Sequence, residues 1–531
     1  TLPLLNGLIT IESALDDDDN VLQELSYPEK RIQFFTYLLM QRDTIEDVVS
    51  FHPGLKSKQI CRIGEVREWI AGSFNVCIPV YISHWTKATA KRVLIRFPLP
   101  YKVGEVECPG NAEEKLRSEA ATFIWIQENC PLVPTPNLWG FGFANGQSFT
   151  AVGRVSFFRR LMWSLRRTIS SIFRYSIPSQ YVSRQCPYRL KTPYLVMNYI
   201  DGTEGAMLSE SWERSRQDQT RRRNLFKGLS RIILSLARLP FDRIGSLTID
   251  NRSVVRLKNR PLTLRLQHLE NQSVPTSIDR DLTYCSTDAY LLDLLAYHDS
   301  YLRYSPNSVR DELDGQAQLS TLTVMRAILP HFTSRDLRRG PFILNLTDLH
   351  QSNIFVDSEW NIKFLVDLEW TCLRPVEMLH PPYWLTSRGV DQLEKGEHFD
   401  AFSNMHSEFM EIFAEEEKLL SKKEDRPFIL TEIIKRGLGN GSFWYFHALD
   451  NPKGLYNIFL DHIQPIFARL DDAEVDSFER MVAPYWSADM QDFLADKLKD
   501  QEEYQNKLRE AFAVGDSEPK VNGTFYGRRR S

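Results

Sequence analysis

Cysteine is scarce in this 531-residue chain and lies scattered. The seven residues are Cys61, Cys77, Cys108, Cys130, Cys186, Cys285 and Cys372, no two at CxxC spacing. An odd, dispersed set builds neither a disulfide framework nor a zinc site, and points to free thiols in a reducing compartment. Long apolar runs are also missing: none approaches the ~18 residues that cross a bilayer. The first residues lack the basic stretch and apolar core of a signal peptide, so a soluble, cytoplasmic protein is expected. Nor is there an excess of positive charge. Sixty-five Lys+Arg against 69 Asp+Glu leave a net charge of −4, which removes the basic field of nucleic-acid binders and, with it, nucleic acid as a partner. Internal repeats at periods of roughly 20–50 residues are absent too, which excludes solenoids and propellers.

What is present is globular composition, 42% hydrophobic and 25% charged, enough for a large core and against disorder throughout. At roughly 150 residues per domain the length allows several units, or one two-part enzyme with insertions. Residues 1–60 read as an N-terminal helical extension, with apolar positions at helical spacing after residue 29. Its acidic run, Asp16-Asp17-Asp18-Asp19, reads as a solvated linker or helix start. Residues 61–200 are strand-rich. Trp69 to Ile82 reads as strand, glycine turn, strand; Arg92 to Phe97 is a further strand, and Glu113 to Asn129 a helix with Leu116, Ala120, Phe123 and Ile124 on one face. Residues 201–510 are mainly helical, interrupted by a strand-rich island at 343–370, and 511–531 read as a flexible tail.

The island carries the chemistry. In Leu346-Thr347-Asp348-Leu349-His350-Gln351-Ser352-Asn353, an apolar strand delivers Asp348 to a polar loop, and Asn353 follows five residues later. A second apolar strand then delivers Asp367 in Val366-Asp367-Leu368-Glu369-Trp370. Phosphoryl transfer uses such a set: one carboxylate takes the proton of the attacking hydroxyl, while an amide and another carboxylate hold magnesium. Glu369 reaches the same face if the second strand continues past Asp367, since side chains alternate along a strand, and it would suit a second metal ion. His350 titrates in the right range for a base, but reads as a structural loop residue.

This pattern resembles the aminoglycoside phosphotransferase and choline kinase-type family of the protein kinase-like superfamily. More narrowly, the chain is similar to fungal proteins with an aminoglycoside phosphotransferase domain, through Gly72-Ser73-Phe74-Asn75, Val93-Leu94-Ile95-Arg96-Phe97-Pro98, the catalytic-loop phrase and Pro381-Pro382-Tyr383-Trp384-Leu385. The resemblance spans about residues 60–420. It implies an α+β, bilobal, protein-kinase-like fold with a small β-rich N-lobe and a large helical C-lobe. It also implies ATP and Mg²⁺ as cofactors and the hydroxyl of a small molecule as acceptor. By resemblance Asp348 is catalytic, and Asn353, Asp367 and Glu369 hold metal. Gly72, Ser73 and Asn75 form the turn over the phosphates, Arg96 contacts phosphate while paired with Glu119, and the strand at Tyr194 to Tyr199 meets adenine. Without the resemblance, Gly72 to Asn75 is equally a plain hairpin turn and Arg96 a strand-end arginine.

Two departures stand out. The family's His-Gly before the catalytic Asp is Leu346-Thr347 here, and its strand lysine is Arg96, which is bulkier and not equivalent. They keep open a pseudo-kinase that binds nucleotide and transfers little. A protein kinase is disfavoured, because no Asp-Phe-Gly is followed by an activation segment and Ala-Pro-Glu. The acids Glu377, Asp391, Glu394, Glu397 and Asp400 either line an acceptor pocket or form a solvated face. Residues 154–191 hold nine basic and no acidic residues, interleaved with aromatic and aliphatic ones. They read as an insert between strands, or as a basic amphipathic helix for an anionic membrane or a protein partner.

Overall fold

Strand periodicity decides which way the central sheet faces. On the strand Arg92–Pro98, Val93, Ile95 and Phe97 are fully buried in a cluster with Leu38, Ile45, Val48 and Val49 of the helices Tyr27–Met40 and Arg42–Phe51. Side chains alternate sides along a strand, so Leu94 and Arg96 point the other way, toward the helix Asn111–Asn129. That helix buries Leu116, Ala120, Phe123 and Ile124 against Phe141, Leu195 and Met197 of the sheet's opposite face. In the computed structural model, which describes residues 1–52, 60–83, 92–393, 396–421 and 429–517, the sheet has eight antiparallel strands. Their order is Cys61–Ile63, Asn75–Ile82, Arg92–Pro98, Tyr194–Asn198, Leu138–Gly142, Gln147–Ala151, Tyr181–Gln185, with Ile70–Ala71 hairpinned onto Asn75–Ile82.

The remainder is mostly helix. Leu264–Asn271, Thr287–Tyr304, Glu312–Phe332, Ser442–Asp450 and Met490–Ser517 pack around a separate apolar cluster that includes Tyr290, Leu319, Phe443 and Leu494. The architecture is thus mixed α/β, an antiparallel sheet with many helices. Among the described residues no helix is long and apolar enough to cross a membrane.

Several details differ from the sequence reading. The acidic run links two helices with Asp16 and Asp18 exposed, and has partners the sequence does not show: Asp18 pairs with Arg310 at 2.5 Å and Asp19 with Lys453 at 2.6 Å. Beside it, Ile9, Ala14 and Val21 pack on Tyr504, Leu508 and Phe512 of the last helix. A hairpin, Ser246–Ile249 with Val255–Asn259, interrupts the helical part. Residues 154–191 contribute a strand, Tyr181–Gln185, as well as a helix, Phe157–Ile172. The expected tail begins inside a helix that runs to Ser517; residues 518–531, and Glu394, lie outside the described residues.

One buried ion cluster fixes the helix Asn111–Asn129 from below. Arg260 donates through Nε and Nη2 to Glu114 at 2.9 Å and through Nη1 to Glu270 at 2.5 Å, and all three residues are buried. Removing one side of such a set leaves unpaired charge in the interior. Arg260→Ala is therefore expected to destabilise the protein by about 3–5 kcal/mol, read as a lowered midpoint of urea unfolding; a change below about 1 kcal/mol would mean that water reaches the cluster.

Candidate active site

Two strand pairs set the site. Phe342–Leu346 pairs antiparallel with Thr371–Pro375, Leu346 opposite Thr371, and Ile354–Val356 with Ile362–Leu365, Ile354 opposite Leu365. The loops 347–353 and 366–370 therefore leave their strands at one end, joined by the Val366 amide donating to the Asn353 carbonyl at 3.0 Å. Thr347 Oγ1 donates to the carbonyl of Trp370, and Trp384 Nε1 to that of Leu349 at 2.7 Å. Within the loop, Asn353 Nδ2 donates to the Asp348 carbonyl at 2.8 Å. That bond orients the amide and leaves its oxygen as the atom able to act as a ligand.

The strand does not continue through Asp367. It stops at Leu365, and Asp367 sits at φ +57°, in the left-handed region that Asp enters more readily than most side chains. The chain bends there before entering a second sheet at Thr371, beside Phe342–Leu346. Glu369 reaches the site through this bend, not through alternation along a strand.

Around Glu369 lies a knot of charge. Arg96, facing the helix as its strand register requires, donates through Nη1 to Glu119 at 2.5 Å. Its Nη2 meets Glu369 at 2.6 Å and Asp367 at 2.8 Å. The guanidinium is thus shared among three carboxylates, Glu119, Glu369 and Asp367. Lys115, one helical turn before Glu119 and therefore on the same side of its helix, donates to Glu369 Oε2 and Asn75 Oδ1 at 2.8 and 2.7 Å. Asn75 Nδ2 donates back to both Glu369 oxygens at 3.1 and 2.8 Å. Arg96, Lys115, Glu119 and Glu369 are all buried, whereas the Asp367 side chain is 42% exposed. Phe74, in the turn before Asn75, packs edge-on against Trp370 with centroids 5.3 Å apart. The turn itself is a closed hairpin, the Gly72 amide donating to the Asn75 carbonyl at 2.8 Å; Gly72 and Ser73 are exposed.

Electrostatics separate the carboxylates. Burial alone would raise Glu369, but Lys115 and Arg96 overcome it and hold the group below the ordinary range. Asp348 has no such cation: burial, then the charges of Glu369 and Asp367, push it up to about 7. It stands on the wall of a cavity of about 590 Å³, shared with Thr347, Tyr383, His380, His447 and Asp391. Among the described residues of the 377–400 run, Asp391 is the acid that meets the cavity, while Glu377 accepts the Ser334 amide at 2.9 Å. His350 Nδ1 accepts the Ser352 amide at 3.3 Å and burial lowers its pKa, which suits a loop brace.

The structure thus gathers Asn75, Arg96, Glu119, Asp367 and Glu369 in direct contact, with Asp348 within their electrostatic reach and Asn353 beneath Asp348. Gly72 and Ser73 stay on the rim. Sequence reasoning missed Lys115 as a partner of Glu369; its one signal is the four-residue step to Glu119 beside the apolar Leu116 and Ala120. The carboxylates of Glu119, Asp367 and Glu369 lie within 4.8 Å of one another, and the Arg96 guanidinium contacts all three.

No family profile matches the chain, and no curated protein matches it. Among solved structures, an ethanolamine kinase of Plasmodium vivax is similar at 12% identity and a TM-score of 0.32, over 91% of this chain and 98% of that one. A likeness that distant assigns neither fold nor activity.

The knot makes a prediction independent of function. Lys115→Met leaves Arg96 as the one cation on Glu369, beside the Asn75 amide, and is expected to lower stability at neutral pH by about 3 kcal/mol. Glu369 has a depressed pKa, so its contribution is present above the ordinary glutamate range and is lost as pH falls through the folded value. The gap between wild type and variant, measured by denaturant unfolding, should therefore narrow below about pH 4.5; a gap constant with pH would show that Lys115 acts by packing.

Proposed function

We propose that the protein is a small-molecule phosphotransferase that takes a phosphoryl group from Mg·ATP to a hydroxyl. The observation that carries this reading is Asp348: a half-buried carboxyl pushed up to about 7, on the wall of a cavity, with Asp367 and Asn353 at the same loop end. A base serves best when its pKa lies near the working pH. Asp348 would accept the proton of the acceptor hydroxyl, and the cavity wall would hold the acceptor in line. Its lining, from Leu344 and Met378 to His380 and Asp391, offers an apolar wall with a few polar contacts, as small-molecule sites do.

The residues present fit the required cation in part. Asp367, partly exposed, and the Asn353 oxygen are hard donors of the kind Mg²⁺ takes. Glu369, expected as a further ligand, has both oxygens held by Asn75, Lys115 and Arg96, so we assign it to positioning. When bound, Mg²⁺ would supply positive charge to the phosphoryl oxygens. Arg96, with three carboxylates to satisfy, likewise positions Asp367, and the phosphate contacts fall to the rim at Gly72 and Ser73. The strand Tyr194–Asn198 is paired on both sides, so adenine would meet the residues after it.

A second reading has its own observation. The Arg96 guanidinium is held by Glu119, Asp367 and Glu369, which leaves little of it for phosphate and favours a nucleotide-binding module with little transfer. ADP release from Mg·ATP across amino-alcohols and sugars separates the two. Turnover is expected, with Asp348→Asn losing about 10²–10⁴-fold in kcat while nucleotide-induced thermal stabilisation stays. Because only the carboxylate accepts a proton, kcat/KM should rise as pH increases through about 7 and then level. Stabilisation by nucleotide without turnover would favour the binding module, and no response to nucleotide would remove both.

A further inference from the structure

The helix Phe157–Ile172 is mounted the wrong way round for a soluble protein. At 3.6 residues per turn, Phe157, Phe158, Leu161, Leu165, Ile169 and Ile172 fall within a sector about 120° wide. All six are exposed, Phe157 at 78% and Phe158 and Ile172 at 69% each. The side turned to the body carries the more polar groups. Trp163 Nε1 donates to the Ser179 carbonyl at 2.8 Å, Arg167 donates to that of Pro178 at 3.1 Å and lies 3.9 Å from Glu128, and Ser170 is the one buried residue of the sixteen. These contacts fix the rotation of the helix, so its apolar face cannot turn inward. An apolar sector of this size, with Thr168 the one polar residue inside it, needs a cover.

The charges around it narrow what that cover is. Arg166 is exposed about 60° beyond one edge of the apolar sector and Arg160, held to the Gly153 carbonyl at 3.2 Å, about 60° beyond the other, with the exposed Arg159 farther round past Arg166. No acid occurs between residues 154 and 191. A second copy docked through the same face would meet arginine with arginine, since a two-fold interface joins like patches. A bilayer of anionic lipids meets both demands at once. Its acyl boundary takes the apolar sector, and its phosphates take guanidinium groups that snorkel from the margins. The exposed Phe173 and Tyr175, stacked at 6.2 Å just past the helix, place aromatic rings where a membrane interface favours them.

We infer that Phe157–Ile172 is a peripheral membrane anchor that lies in the surface of an anionic bilayer. This does not depend on the phosphotransferase reading, because none of the residues assigned to that site lies on this helix. Binding of the full chain to phosphatidylcholine vesicles, with and without about 30% phosphatidylserine, tests it by co-sedimentation. Binding should be at least about tenfold tighter with phosphatidylserine, and should fall steeply at about 0.5 M salt, where charges are screened within a few ångströms. Leu165→Asp combined with Ile169→Asp alters exposed positions only. It should leave the thermal midpoint unchanged and lower vesicle binding by about tenfold or more. Arg159→Gln with Arg166→Gln should weaken it several-fold and flatten the salt dependence. Equal binding to both vesicle types, or variants that bind like wild type, would overturn the inference. So would a dimer in sedimentation equilibrium that Leu165→Asp with Ile169→Asp dissociates, which would assign the face to a second copy. Failure to bind vesicles together with salt-sensitive binding to polyglutamate would assign it to an acidic protein.

Discussion

The contact of Arg96 with Glu119 and Glu369 is the constraint on which the site's geometry rests. Each member comes from a different element: Arg96 from the sheet, Glu119 from the helix above it, Glu369 from the bend after Ile362–Leu365. Ions so buried are stable only when they meet their partners. The strand register, the helix rotation and the course of the bend are therefore coupled through a few ångströms of shared space. Sliding the Arg92–Pro98 strand by one residue would send Arg96 into the apolar cluster of Val93, Ile95 and Phe97. Rotating the helix by one residue would remove Glu119 and Lys115 together. The apolar clusters on the two faces of the sheet give bulk stability; the ion knot selects one arrangement among those the apolar residues alone would permit.

The sequence reveals the parts of this arrangement that depend on local order. Asp348, Asn353 and Asp367 are legible because apolar strands bracket them and their spacing is short. The pairing of Arg96 with Glu119 is legible only through the family resemblance; strand and helix patterns alone leave Arg96 a strand-end arginine. Lys115 is not: lysine is almost never fully buried, and a lysine at a helix boundary reads as a solvated one. The bend at Asp367 is hidden because Phe364-Leu365-Val366 looks like a strand that should run on, and a left-handed residue leaves no mark when it is not glycine. The acidic run at 16–19 is a largely solvated link between two helices, as it reads, but its partners Arg310 and Lys453 lie far along the chain, where no local pattern points to them.

The helix at 157–172 shows a different limit. Its composition announces an amphipathic helix but not which side faces the body. Ordinary burial would turn the apolar sector inward, and the hydrogen bonds of Trp163 and Arg167 to the following loop decide otherwise. Two polar contacts within one short insert thus accompany a helix whose apolar face is turned outward.

Charge balance joins these points at the site. The knot sets three carboxylates, Glu119, Asp367 and Glu369, against two cations, Arg96 and Lys115, so one negative charge stays uncompensated in a poorly solvated place. Such an excess must be met by a proton or by an added cation. Within the knot the proton has two places to go: burial, only partly offset by Arg96, pushes Glu119 up to about 7 and raises Asp367 as well. Asp348, outside the knot and with no cation of its own, is pushed to about 7 by burial and by the charges of Glu369 and Asp367. The more exposed Asp367 instead faces the open side of the knot, where a cation from solution would approach. A positive charge arriving there would draw the carboxylates back toward ionisation and release the proton that Asp348 otherwise tends to hold. The same deficit of positive charge in the buried knot therefore raises Glu119 and Asp348 together and leaves both sensitive to what binds beside Asp367.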